Sequence, residues 1–148
     1  MFRTFKIGAA FTVIALLLTG VVACSGEPVP KLIIHDPWAR PAGVGGNAVV
    51  YFTITNKGRM SDALVDVSSD AADTVGIHET RIDGNMVRMA TVSRIEVPAG
   101  GSVELEPGGF HIMMMGLKRD LNPGEMIKVT LRFDKSVEIT VTVEVRKS

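Results

Sequence analysis

The chain has 148 residues, with 16 Lys+Arg against 16 Asp+Glu and a single cysteine, Cys24. That length suits one domain plus an N-terminal extra. The charge balance offers no basic face for nucleic acid, and one cysteine excludes an internal disulfide framework and any multi-cysteine metal site.

At the start, Arg3 and Lys6 precede an uncharged run of seventeen residues from Ile7 to Ala23, and Cys24 follows directly. A positive start, an apolar stretch and small residues before a cut site describe a secretory signal. The residues Val21-Val22-Ala23-Cys24 resemble the lipobox of bacterial lipoproteins, in which the cysteine is lipidated and becomes the mature N-terminus. Seventeen apolar residues are barely enough to span a bilayer, so processing is favoured over a retained span. The expected organisation is a lipoprotein signal peptide over 1–23, a lipidated Cys24 and tether over 24–31, and a β domain over 32–148. The domain is expected in the cell envelope, lipid-anchored at the outer face of the cytoplasmic membrane or in the periplasm. Without Arg3 and Lys6 the mature part holds 14 Lys+Arg and 16 Asp+Glu, a net of −2.

After the tether come short β-type runs split by turn residues. Leu32 to Ile34 is apolar, with Trp38 following, and Ala48 to Thr55 is strongly β-forming up to Asn56-Lys57-Gly58. Ala63 to Ser68 alternates. Residues 70–74 suit a short turn. Residues 75–82 and 85–92 flank Asp83-Gly84. Val103 to Glu106 lies between Gly/Pro clusters, Phe110 to Met115 follows, and Met126 to Phe133 and Val137 to Val145 alternate on either side of Asp134-Lys135-Ser136. About eight or nine strands at regular spacing predict an all-β antiparallel sandwich or barrel.

The mature part is rich in methionine, and five of these, Met86, Met89, Met113, Met114 and Met115, fall between residues 86 and 115, an interval that His78 precedes and His111 enters. Asp83-Gly84 between β-type runs is a strong hairpin signal. If those two residues form the loop, His78 and Met89 face each other directly, with Cβ atoms about 5 Å apart. Along Phe110 to Met115, alternation puts His111, Met113 and Met115 on one face and Phe110, Ile112 and Met114 on the other, which looks like core. Two His/Met pairs on β faces could close on one ion. Thioether sulfur is soft and neutral, so it selects copper(I), and imidazole tolerates that ion. Calcium and magnesium require oxygen, and zinc prefers cysteine, histidine or carboxylate.

The spacing His78-x10-Met89-x21-His111-x-Met113 matches the H-x10-M-x21-H-x-M pattern of the periplasmic copper chaperones called the PCuAC family. Asp36-Pro37-Trp38-Ala39-Arg40, Ile77-His78-Glu79, Val97-Pro98-Ala99-Gly100-Gly101 and Pro107 to Leu117 also resemble that family. The resemblance implies a cupredoxin-like Greek-key β-sandwich. It also implies copper(I) ligation by His78, Met89, His111 and Met113, and transfer of copper to an accepting protein, such as a cytochrome c oxidase subunit or another copper chaperone. Many members carry a methionine two residues after the first histidine, where this chain has Thr80.

Met86 and Met115 are the candidate auxiliary ligands. Met115 shares the ligand face but suits packing, and Met86 lies in the other parity from Met89, which suits core or edge cover. Met114 and Met126 read as core, Met60 as loop, His35 as exposed and Trp38 as a packed aromatic. There is no G-x-S-x-G and no H-E-x-x-H, and without a thiolate the domain is not a blue-copper carrier. The expectation is therefore a non-enzymatic copper(I) chaperone. The alternatives are a lipid-anchored copper buffer or resistance protein, and a scaffold or adhesion sandwich whose methionines are only packing.

Overall fold

The computed structural model describes residues 28–147. They form ten strands: β1 (Leu32–Ala39), β2 (Asn47–Asn56), β3 (Asp62–Ser68), β4 (Ala72–Asp83), β5 (Met86–Thr91), β6 (Ile95–Val97), β7 (Ser102–Leu105), β8 (Phe110–Leu117), β9 (Met126–Phe133) and β10 (Ile139–Val145). The all-β expectation holds, with two adjustments. The described strands number ten rather than eight or nine, because Ile95–Val97 pairs with β3 as a separate short strand. One pairing, β1 with β10, is parallel rather than antiparallel. The signal segment and Cys24 lie outside the described residues.

The strands follow the order β5-β4-β8-β2-β1-β10-β9-β3-β6, with β7 added to the far half of β2. Alternation decides which face is buried. Ala48, Val50, Phe52 and Ile54 of β2, Ile112 and Met114 of β8, Ile127, Val129, Leu131 and Phe133 of β9, and Val143 and Val145 of β10 all join one core. The sheet rolls so that β3 meets β4 and β6 meets β2 and β7, and the core lies between these halves. Met114 is fully buried, as its parity predicts, whereas Met126 is 57% exposed. Met126 shares its face with Lys128, Thr130 and Arg132, so the same alternation turns it to solvent.

Two polar knots fix the end of the domain where the chain enters. Asn56, fully buried, accepts from the amides of Lys31 and Gly58 at Oδ1 and donates to the Met60 carbonyl at 2.8 Å. Asp62 lies at the start of β3 and binds the β9–β10 turn, accepting from the amides of Lys135 and Ser136 and from the Ser136 hydroxyl. Burial alone would push the Asp62 carboxyl up. The hydrogen bonds from the Ser136 hydroxyl and the amides of Lys135, Ala63 and Ser136 outweigh it and hold the group below the usual carboxylate range.

Candidate metal site

The hairpin turn between β4 and β5 is Gly84-Asn85, because Asp83 pairs with Met86. Gly84 has φ +59°, the positive value that suits glycine at the first central position of a type II′ turn. The expected Asp83-Gly84 loop is therefore corrected by one residue in loop position and two in register. Met89 faces Thr80, and His78 faces Thr91. A shift of two leaves every side chain on its original face, so His78 and Met89 still share one, as diagonal neighbours.

On its other side β4 pairs with β8, and here the two histidines meet: His78 is the direct cross-strand partner of His111, and Gly76 that of Met113. The His78 and His111 rings lie 5.9 Å apart between centroids and 30° from parallel. Cross-strand partners share a face. His78, Thr80, Met89, His111 and Met113 therefore line one side of the adjacent strands β5, β4 and β8, the side away from Ile112 and Met114. Met115 continues this row, opposite Thr74 and Asn47. Met86 projects from the other face of β5 and is 52% exposed, so it is not brought to the row.

His111 is the most informative side chain of the group. It is only 3% exposed although it faces away from the apolar core. Its Nδ1 lies 3.1 Å from the Gly109 carbonyl. A carbonyl only accepts, so Nδ1 carries a proton, and in the neutral tautomer this leaves the Nε2 lone pair free. That buried Nε2 has no hydrogen-bond partner among the described residues. Leaving a buried polar atom unsatisfied costs about 1–3 kcal/mol, and fixing one ring nitrogen so that the other is free is how histidine ligands are commonly oriented. His78 is half-buried. Burial first, and the neighbouring His111 second, hold its imidazole below the ordinary histidine range, so it is neutral at neutral pH.

Sequence reasoning missed two supporting residues, Gly76 and Tyr51. Gly76 leaves the space beside Met113 into which the His78 ring leans: a Cβ there would lie 3.3 Å from His78 Nε2. Tyr51, buried on the same face, lies 6.5 Å from the His111 ring and 4.8 Å from Trp38, with Arg40 over it at 5.7 Å. Trp38 is thus packed as expected, at the far end of an aromatic row that ends in the two imidazoles. Alternation along Ala48 to Thr55 would have placed Tyr51 outward, but nothing local says that β8 lies beside it. His35 is exposed and stands apart from this row.

Chemically, the row offers two imidazoles and two thioethers with no carboxylate among them. Among the described residues, no three His, Cys, Asp or Glu side chains cluster where they could hold a metal. Any ion accepted here is one that tolerates neutral, soft donors.

Comparison with known proteins identifies the family and the fold. The LpqE-like family, described as "Putative lipoprotein LpqE-like", matches residues 32–145. "Putative lipoprotein Lxx21020" of Leifsonia xyli subsp. xyli is 33% identical over 157 residues, covering 99% of this chain and 93% of that protein. "Uncharacterized protein RP573" of Rickettsia prowazekii is 36% identical over 115 residues, covering 74% of this chain and 64% of that protein. Among solved structures, the apo PCuAC domain from PmoF1 is similar with TM-score 0.68 and 26% identity, covering 80% of this chain and 95% of that one. The copper-bound PCuAC domain from PmoF2 has TM-score 0.67 and 27% identity, covering 80% and 94%. The solution structure of CuI-DR1885 from Deinococcus radiodurans has TM-score 0.61 and 29% identity, covering 84% of each chain.

Proposed function

Because the chain belongs to the LpqE-like, PCuAC-related family, we propose that it is an extracytoplasmic copper(I) chaperone that holds one ion through His78, Met89, His111 and Met113. The observation that carries this reading is the buried, unpartnered Nε2 of His111, set beside His78 and on the same strand face as Met113. Two imidazoles and two thioethers bring no negative charge, which favours the singly charged, soft ion over copper(II) or zinc. The similarity to a copper-bound PCuAC domain and to a copper(I) form of DR1885 supports the same ion.

Copper is cargo in this reading, not a catalytic centre. Neutral thioethers bind without deprotonation and exchange readily, which suits handover to a copper-accepting protein, such as a cytochrome c oxidase subunit or another copper chaperone. Lipidation of Cys24 would hold the domain at the membrane, in keeping with the lipoprotein family description. Met115 is assigned to packing, and Met86 has no part in the site.

The test is a copper(I) titration of the mature domain against a chromophoric copper(I) chelator, with wild type beside the four single ligand variants. One ion per chain is expected, with affinity lost in the His111→Ala, Met113→Ala double variant. Unchanged affinity in that variant refutes the ligand assignment. A deletion strain assayed for oxidase activity at low copper separates delivery from buffering, since only loss of delivery lowers the activity.

A further inference from the structure

The β4–β5 hairpin outruns its neighbour β8. Its last tie to β8 is the Thr80 amide donating to the Gly109 carbonyl at 3.0 Å. From Arg81 to Ala90 every residue is exposed. The strand registers say where this arm points. β4 is antiparallel to β8 and β8 to β2, so β4 runs in the direction of β2. Following the pairings across, His78 and His111 stand level with Tyr51, and Asp83 at the arm's tip stands level with Asn56. Leu32 pairs with Asn56, so the arm ends at the same end of the domain at which the chain enters.

That entering segment is clamped. The Lys57 amide donates to the Lys31 carbonyl at 2.8 Å, and the Lys31 amide to Asn56 Oδ1 at 3.0 Å. Backbone of residues 29–31 lies so close over Gly58 that a Cβ there would come within 2.6 Å of the Lys31 nitrogen. Cys24 is five residues before Val29, a reach of at most about 18 Å.

The same end collects exposed apolar side chains. Eight large ones are strongly exposed among the described residues: Val29, Val44, Ile82, Met86, Val87, Met89, Met126 and Val137. Val29 lies beside the clamp, Ile82, Met86 and Val87 sit at the arm's tip, and Val137, 84% exposed, sits in the β9–β10 turn. That turn reaches the same end, because β10 runs parallel to β1 with Trp38 level with Glu144. Ile82 and Val87 are cross-strand partners on one face. Charges of both signs, Lys31, Lys57, Asp83 and Glu138, are interspersed there, so apolar contact rather than net charge would dominate.

We propose that the arm tip and the β9–β10 turn seat the anchored domain on the lipid bilayer, Ile82, Val87 and Val137 entering its interface. This rests on the lipid-anchor reading above. The short reach from Cys24 holds this end against the membrane, and apolar side chains that would otherwise face water find lipid. His78 is five strand residues from Asp83, so the metal row would stand roughly 17 Å along the strand from the seated tip, at a fixed height for a membrane-bound acceptor.

The test uses the full lipidated protein in vesicles of phosphatidylethanolamine and phosphatidylglycerol. In the mature lipoprotein Cys24 is blocked, so one introduced cysteine takes a fluorescent label alone. Ile82→Cys, Val137→Cys and, as a control at the other end, Val44→Cys are labelled and exposed to lipid-attached quenchers. Labels at 82 and 137 should lose most of their emission and the label at 44 should keep it, with copper(I) uptake unchanged as the check on folding. The effect should persist in high salt. If the protein carries its lipid by mass yet labels at 82 and 137 are unquenched, the seating proposal fails while the anchor stands. If no lipid is attached, both fail. Quenching only in native membranes, not in pure lipid, assigns the surface to a membrane protein and overturns the lipid assignment.

Discussion

Replacing Gly76 by alanine isolates the geometry of the metal row from its chemistry, since it adds one methyl group and removes no donor. The new Cβ would lie 3.3 Å from His78 Nε2 and 3.6 Å from Cδ2. The first contact is tighter than ordinary van der Waals packing, so the imidazole must yield by tenths of an ångström or rotate away from Met113. Holding the ring about 30° off its rotamer costs about 0.5–1.5 kcal/mol, which corresponds to a roughly two- to tenfold weaker Kd for copper(I). Fold stability should not fall in parallel, because glycine inside a strand is itself about 0.5–1 kcal/mol less favourable than alanine. The assay is competition with a chromophoric copper(I) chelator, run beside a thermal melt. Weaker binding with an unchanged or higher Tm is expected. An unchanged Kd, in an assay where His78→Ala still abolishes uptake, refutes the idea that Gly76 makes room for the working position of His78.

Three further outcomes follow from the described contacts. Asp62→Asn should lower stability by about 2–3 kcal/mol at neutral pH, since the carboxylate accepts several hydrogen bonds that an amide nitrogen cannot. The folded carboxyl titrates below its unfolded value, so its contribution is complete above the ordinary carboxylate range and is lost as pH falls through the folded value. Melts against pH should show that acid-side loss in the wild type and a flatter profile in the variant. Gly58→Ala should lift the segment 29–31 off the β2–β3 turn, costing about 1–3 kcal/mol and opening that segment to limited proteolysis. Mild peroxide should oxidise Met89, 52% exposed, ahead of Met113, and copper(I) uptake should fall with sulfoxide at Met89, not with sulfoxide at the comparably exposed Met86 or Met126, and recover on reductase treatment.

Much of the fold was legible because strand periodicity is local. The turn clusters at Asn56-Lys57-Gly58 and Asp134-Lys135-Ser136 end strands where the structure ends them, and the parity of Ile112 and Met114 identified core. The β4–β5 register was misread because Asp83-Gly84-Asn85 contains two overlapping hairpin signals, and a positive φ at Gly84 suits both, so only the pairing of Asp83 with Met86 decides between them. The error kept the faces because it amounted to two residues. Met126 was misread by composition against its own alternation. The His78–His111 pairing was beyond local reasoning, since the two lie 33 residues apart and their alignment depends on how β8 inserts between β4 and β2. The parallel β1–β10 pair is a long-range contact of the same kind. It joins the last two residues of β1, after the irregularity between His35 and Trp38, to the end of β10.

The burial gradient across the metal row has a kinetic consequence. His111 is 3% exposed and held by the Gly109 carbonyl, whereas Met89 is 52% exposed on the free arm. Under the proposed ligation, the Met89 side is the most open to an incoming donor, and the buried His111 side is closed to it. Exchange would then have a fixed order, with Met89 leaving first and His111 last, and the ion would be shared between the two proteins at the midpoint rather than set free. A carrier built this way unloads onto a partner in contact with its open side, and its dissociation rate in a partner's absence says little about its rate of transfer.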